Sequence, residues 1–244
     1  MNRPGFAGAI AGALSRALPI LVTPRIIGLA VLPLVIAAIV WTAIAIAGWH
    51  PLTAALAHLL GAADDASLWQ RIVADVIAVL IFAALAAATA LTAIAVLAMP
   101  VIVRTVATRH FPALVPLRGG TFAGSIGNAT FALLIFIPLW FAALVLLFVP
   151  PLYAVASLVL NAWLTQRMFR YDALAEHAAR DEIAVVLERS RTRLMGLGLA
   201  LSPLSLIPLV NIFVLPLYGG IAFTELCLAE LSAVRSASAA RSPA

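Results

Sequence analysis

Four long stretches of this chain contain no Asp, Glu, Lys or Arg, and they leave it few ways to fold: residues 26–63, 76–103, 119–166 and 194–224. A helix needs roughly 20 apolar residues to cross about 30 Å of hydrocarbon, and residues 26–48 and 76–103 each supply them. A soluble chain of this size has no core large enough to hide four such blocks and no polar surface to cover them. Apolar residues make up 64% of the 244 positions and charged residues 10%, with a mean hydropathy of +1.13. Soluble domains carry about 45–50% and about 25%. Lipid is the solvent.

The blocks differ in kind. The first two read as uninterrupted crossings, with Trp41 and Trp49 toward the far end of the first, where amphipathic rings favour the interface. Residues 119–166 are interrupted by Pro138, Pro150 and Pro151, and residues 194–224 by Pro203, Pro208 and Pro216. Each proline removes a helical N–H and crowds the carbonyl one turn back. Broken backbone survives in a membrane only where protein or a wet cavity satisfies it. Residues 194–224 are also long for one crossing and short for two, which favours a half-depth hairpin over a single kinked helix. The expected fold class is an all-α integral membrane protein. It has two full transmembrane helices, two proline-broken and partly penetrating helical hairpins, and an amphipathic cytoplasmic helix.

Charge adds sidedness. The chain has 15 basic and 10 acidic residues, and every basic one is Arg. Arg3, Arg16 and Arg25 precede the first block without an acid, and Arg104, Arg109 and Arg118 follow the second the same way. Between those blocks Asp64, Asp65 and Asp75 outnumber Arg71. The positive-inside rule then places both termini and the connectors around Arg109 and Arg180 in the cytoplasm, with Asp64 outside. Residues 6–21 read as an interfacial helix, since Arg16 and Pro19 interrupt any secretory signal too early. Residues 172–193 read as a cytoplasmic helix whose apolar face holds Ala179, Ile183, Val186 and Leu187, continuing to Leu194, with Glu176 and Arg180 as an i,i+4 pair. A single membrane domain is expected over residues 1–231, followed by a disordered, Ser/Ala/Arg-rich tail over 232–244.

The arginines are scattered singly, which argues against a nucleic-acid surface and so against a nucleic-acid partner. Cys227 alone makes neither an intrachain disulfide nor a thiolate cluster. His177 and Asp181 are two ligands at most, His50 and His58 read as interface residues, and Asp64–Asp65 as a solvated acidic loop. No metal site, no cofactor and no catalytic constellation is expected, hence no enzyme. Gly8/Gly12 and Gly120/Gly124 have the spacing that allows close helix approach. Asn128, Asn161 and Asn211 lie in apolar blocks, and Asn211 reads either as support for proline-broken backbone or as part of a polar path. Thr23-Pro24-Arg25 is the strongest ligand candidate. Thr suits an N-cap and Pro the first helical position, so a helix N-terminus with an added guanidinium would face an anion there.

Thr23-Pro24-Arg25-Ile26 running into Val31-Leu32-Pro33-Leu34, Ala98-Met99-Pro100-Val101, Arg170-Tyr171-Asp172, and the run from Ile207 through Asn211 to Pro216 follow one another along the chain. Together they resemble the CysZ sulfate permeases, a branch of the etoposide-induced-type membrane proteins. The resemblance implies two transmembrane helices plus two partial hairpins, a bacterial inner-membrane location, homo-oligomeric assembly and sulfate uptake. It also marks a departure. Where that family carries a Gly-hydrophobic-Arg-Arg entry, this chain has Arg25-Ile26-Ile27-Gly28. The expected function is an inner-membrane permease or channel for a small anion such as sulfate. The alternative is a non-transporting scaffold or lipid-organising protein of the same fold.

Overall fold

The computed structural model describes residues 5–61, 67–207 and 210–240. The described residues form helices and no strand. In order they are α1 (Phe6–Leu21), α2 (Pro24–Leu59), α3 (Leu68–His110), α4 (Phe122–Leu144), α5 (Pro150–Ala175), α6 (Arg180–Arg189), α7 (Arg191–Leu201) and α8 (Leu215–Ala239). Short 3-10 turns at Val145–Phe148 and Ser202–Leu206 and a π-helical turn at Val210–Val214 join them. Four segments are long and apolar enough to cross a membrane: α2, α3, Phe122–Phe148 and α8.

The chain divides into two compact units, Ile27–Leu97 and Met1–Ile26 with Ala98–Ala244, where the sequence suggests one domain. The smaller unit is the body of α2 and α3. Phe82 meets Trp41 at 6.4 Å and Trp49 at 6.4 Å, and Trp41 Nε1 donates to Thr89 Oγ1 at 3.1 Å. Positions rising along α2 meet positions falling along α3, so the two run antiparallel. Large rings bridge them, and most side chains face outward.

The larger unit is built around α8. Of its most apolar 18 residues 78% are buried, against 6% for α2 and 11% for α3 and for Phe122–Phe148. Three of the four candidate spans thus bury few of their own residues within this chain, and the fourth is wrapped by protein. Lipid supplies no hydrophobic drive between helices, so close approach of small residues has to hold them. α1 buries Ala9, Ala13 and Ala17 along one stripe and packs on α8. Tyr218 Oη of α8 donates to the Leu14 carbonyl at 3.2 Å. α4 and α5 fold back on each other, with Pro150 and Pro151 in the first turn of α5, where no N–H is required. α7 lies against α5 at Gly198, where a Cβ would stand 2.6 Å from the Ala162 carbonyl oxygen.

Several expectations change. α1 has a protein-facing stripe rather than only an interfacial one. Residues 172–193 are not one helix: α5 runs to Ala175, α6 starts at Arg180, and Ser190 separates α6 from α7. Glu176 and Arg180 thus sit on different helices. The apolar block 194–224 becomes α7, a broken corner and the start of a helix that continues past Thr224. Residues 232–239, expected as disordered, are the last turns of α8. Gly120 and Gly124 are used inside the chain, against Ala175 and Tyr171. Asp64, Asp65 and Pro208 fall outside the described residues.

Candidate functional site

Thr23 directly precedes α2, and Pro24 takes its first position, as the sequence suggests. The Thr23 hydroxyl, however, points back and donates to the Ile20 carbonyl at 2.7 Å, tying α2 to the end of α1. Arg25 is exposed at the first turn of α2. Asn211 lies on the π-helical turn, exposed, with its backbone N–H on the Ile207 carbonyl at 2.8 Å. Among the described residues no hydrogen bond or ion pair joins Asn211 to Thr23 or Arg25. Asn128 serves packing: its Nδ2 donates to the Arg167 carbonyl at 2.8 Å, pinning α4 on α5.

The polar interior lies elsewhere, in the larger unit. Glu225, fully buried on α8, accepts from Arg16 Nε at 2.9 Å and also meets His110 Nδ1. Five residues on, Glu230 pairs with Arg193. Near the end of α8, Arg235 forks onto both oxygens of Glu182, at 2.9 and 2.8 Å, and also donates to the carbonyls of Val115 and His177. The fork holds the Glu182 carboxyl below its ordinary value. His177 is buried in the turn between α5 and α6, and that burial lowers its imidazole from the usual range. With His177 in a turn, the helix face it was expected to share with Asp181 does not exist. Among the described residues no group of three or more His, Cys, Asp or Glu is placed to hold a metal ion.

A cavity of about 580 Å³ opens beside α5, walled by Gln166, Arg167 and Arg170 from that helix and by Glu188 and Arg191 from the α6–α7 arm. Arg167 rests on the Phe131 ring at 4.9 Å and reaches the Trp163 ring at 6.0 Å. Its Nε, the Nε of Arg170 and Oε1 of Gln166 are buried without a hydrogen-bond partner. The sequence reading missed this grouping. The break at Ser190 and the packing of α7 on α5 fold Arg191 back beside Arg167 and Arg170.

No curated protein and no solved structure matched the chain. Residues 13–216 match the family described as sulfate transporter CysZ/etoposide-induced protein 2.4. The match takes in the Thr23–Arg25 entry, all of the arginine-walled cavity and the π-helical turn, and stops short of Glu225. With most of its length covered by that match, this multi-pass membrane protein belongs to the CysZ/etoposide-induced protein 2.4 family of sulfate transporters.

Proposed function

We propose that the chain is a permease or channel that passes a small oxyanion, sulfate first, across the bacterial inner membrane, with its termini in the cytoplasm and as a homo-oligomer. The observation that carries this reading is the match of residues 13–216 to the sulfate transporter family, in a chain with four helices long and apolar enough to cross a membrane. The exposed guanidinium of Arg25, at the opening turn of α2, acts as the first contact, where a positive helix end adds to it. Thr23 holds that turn in place through its bond to Ile20, and Asn211 supports the broken corner before α8. Transport, not catalysis, is the role that a transporter family implies.

The test is uptake of radiolabelled sulfate by bacterial cells stripped of their own sulfate entry routes and grown with sulfate as the sole sulfur source. The chain should restore growth and uptake. Arg25→Ala should cut apparent affinity roughly 10- to 100-fold, from the loss of charge-assisted hydrogen bonds. No uptake by cells that display the folded chain in their membrane would favour the scaffold reading and overturn this one.

A further inference from the structure

We propose that the cavity between α5 and the α6–α7 arm is a binding site for a tetrahedral oxyanion of the sulfate or phosphate type, held by Arg167, Arg170 and Arg191. The proposal rests on the anion reading above and goes further by placing a site away from the α2 entry. Three guanidinium groups meet there with one carboxylate, Glu188, which leaves a formal charge of +2 in the walls. An anion with two negative charges would balance it. Like charges gathered at one cavity repel unless something sits between them, and the buried carboxylates of α8, Glu225 and Glu230, are already engaged with Arg16, His110 and Arg193.

The hydrogen-bond inventory points the same way. A buried guanidinium N–H without an acceptor is costly. Two are present, on Arg167 and Arg170, both residues of the cavity wall. The Arg167 Cζ lies over the Phe131 ring, 4.9 Å from its centroid, which anchors the guanidinium at the cavity wall. Gln166 is 5% exposed, with its Oε1 unpartnered. Turned about its last bond, the amide offers an NH₂ to an oxyanion at the same place. Arg170 projects one turn after Gln166 and Arg167, and Arg191 at the start of α7 closes the other side. The cavity of about 580 Å³ holds a sulfate ion with its water, and equally the phosphate of an anionic lipid headgroup. The chemistry is shared, and the source is an experimental question.

Two arms separate the sources. In the first, sulfate is titrated calorimetrically into the full chain in detergent, as wild type, Arg170→Gln and Arg191→Gln. Arg191 is exposed, so its variant tests the site even if Arg170→Gln fails to fold. In the second, native mass spectrometry counts phosphatidylglycerol retained by the same proteins from nanodiscs of phosphatidylglycerol and phosphatidylcholine. The expected result is saturable sulfate binding that each substitution weakens about 10- to 100-fold. Retained phosphatidylglycerol that both variants lose, with sulfate binding only after lipid removal, supports the same site filled by a headgroup. Sulfate binding and lipid retention that are both indifferent to the two substitutions would overturn the proposal. Binding here by a chain that passes no sulfate would leave the site standing and sink the permease reading. Transport with arginine-independent binding would do the reverse.

Discussion

Glu225 has no exposed surface, yet Arg16, its partner, is 46% exposed on its side chain and His110 24%. The asymmetry decides how substitutions should rank. Removing Arg16 and His110 together strands a buried carboxylate, and breaking a buried pair from one side costs about 3–5 kcal/mol. Glu225→Gln instead removes the buried charge and leaves bases that can reach water. Thermal unfolding in detergent should therefore fall further for the Arg16→Ala/His110→Ala double variant than for Glu225→Gln, and the opposite order would refute a buried carboxylate at α8. This residue also shows where sequence reading stopped. Charge was taken as a sign of water, so the last apolar block ended at Thr224. The partner that makes Glu225 tolerable stands 209 positions earlier, and no local pattern announces it. Although the Thr23 hydroxyl donates back to the Ile20 carbonyl, the start of α2 at Pro24 was legible because helix-start chemistry is local. The cavity arginines were not, because Arg191 joins Arg167 and Arg170 only through the tertiary packing of α7.

Among elements, the bodies of α2 and α3 were legible because uncharged runs of helical length define themselves, and α1 was legible as a mostly apolar run despite Arg16 and Pro19. The segment 172–193 was misread as one helix. Its break is capped by Glu182, which reaches back to the Ala179 N–H at 2.8 Å, and an alanine before the helix gives no capping signal. The same glutamate is clamped by Arg235, while residues 118–120 donate their N–H groups to the carbonyls of Glu176, Ala178 and Ala175. Because the Glu182 carboxyl is depressed by the Arg235 fork, its stabilisation is complete above the unfolded carboxylate range and is lost as pH falls through the folded value. His177 acts in the same direction. Burial favours its neutral ring, so its share is full above the unfolded imidazole range and is lost on acidification through the lowered value. Hydrogen exchange at residues 118–120 and in α6 should speed up between about pH 7 and about pH 4 relative to intrinsic rates. Glu182→Gln should flatten the lower part of that profile and leave the imidazole part, and an unchanged profile would remove the clamp from the account. Helix approach gives a second check. Gly198→Val drives a side chain into the Ala162 carbonyl and should cost about 1–3 kcal/mol or more, as overpacking does. Gly127→Ala, with open space around it, should cost nothing measurable in the same unfolding assay.

For the whole molecule, composition alone fixed the solvent. With 64% apolar and 10% charged residues, the chain belongs in lipid, and α2, α3 and Phe122–Phe148 leave nearly all of their most apolar surface outward. What overall composition could not say is that the fourth candidate span is the centre of the larger unit, although its hydropathy of 1.3, against 2.5 to 2.8 for the other three, sets it apart. Phe122–Phe148, at 27 residues and about 1.5 Å per residue, is long and apolar enough to cross a bilayer. The arginine-walled cavity lies in the unit built around α8, and the proposed role of the chain is to carry an oxyanion across the membrane. The direct measurement is the flux of radiolabelled sulfate into liposomes holding the purified full chain, beside protein-free liposomes of the same lipid. The account predicts saturable uptake that only the protein-bearing liposomes show and that unlabelled sulfate competes away. Uptake no faster than in protein-free liposomes, from chain shown to be folded and inserted, would contradict it.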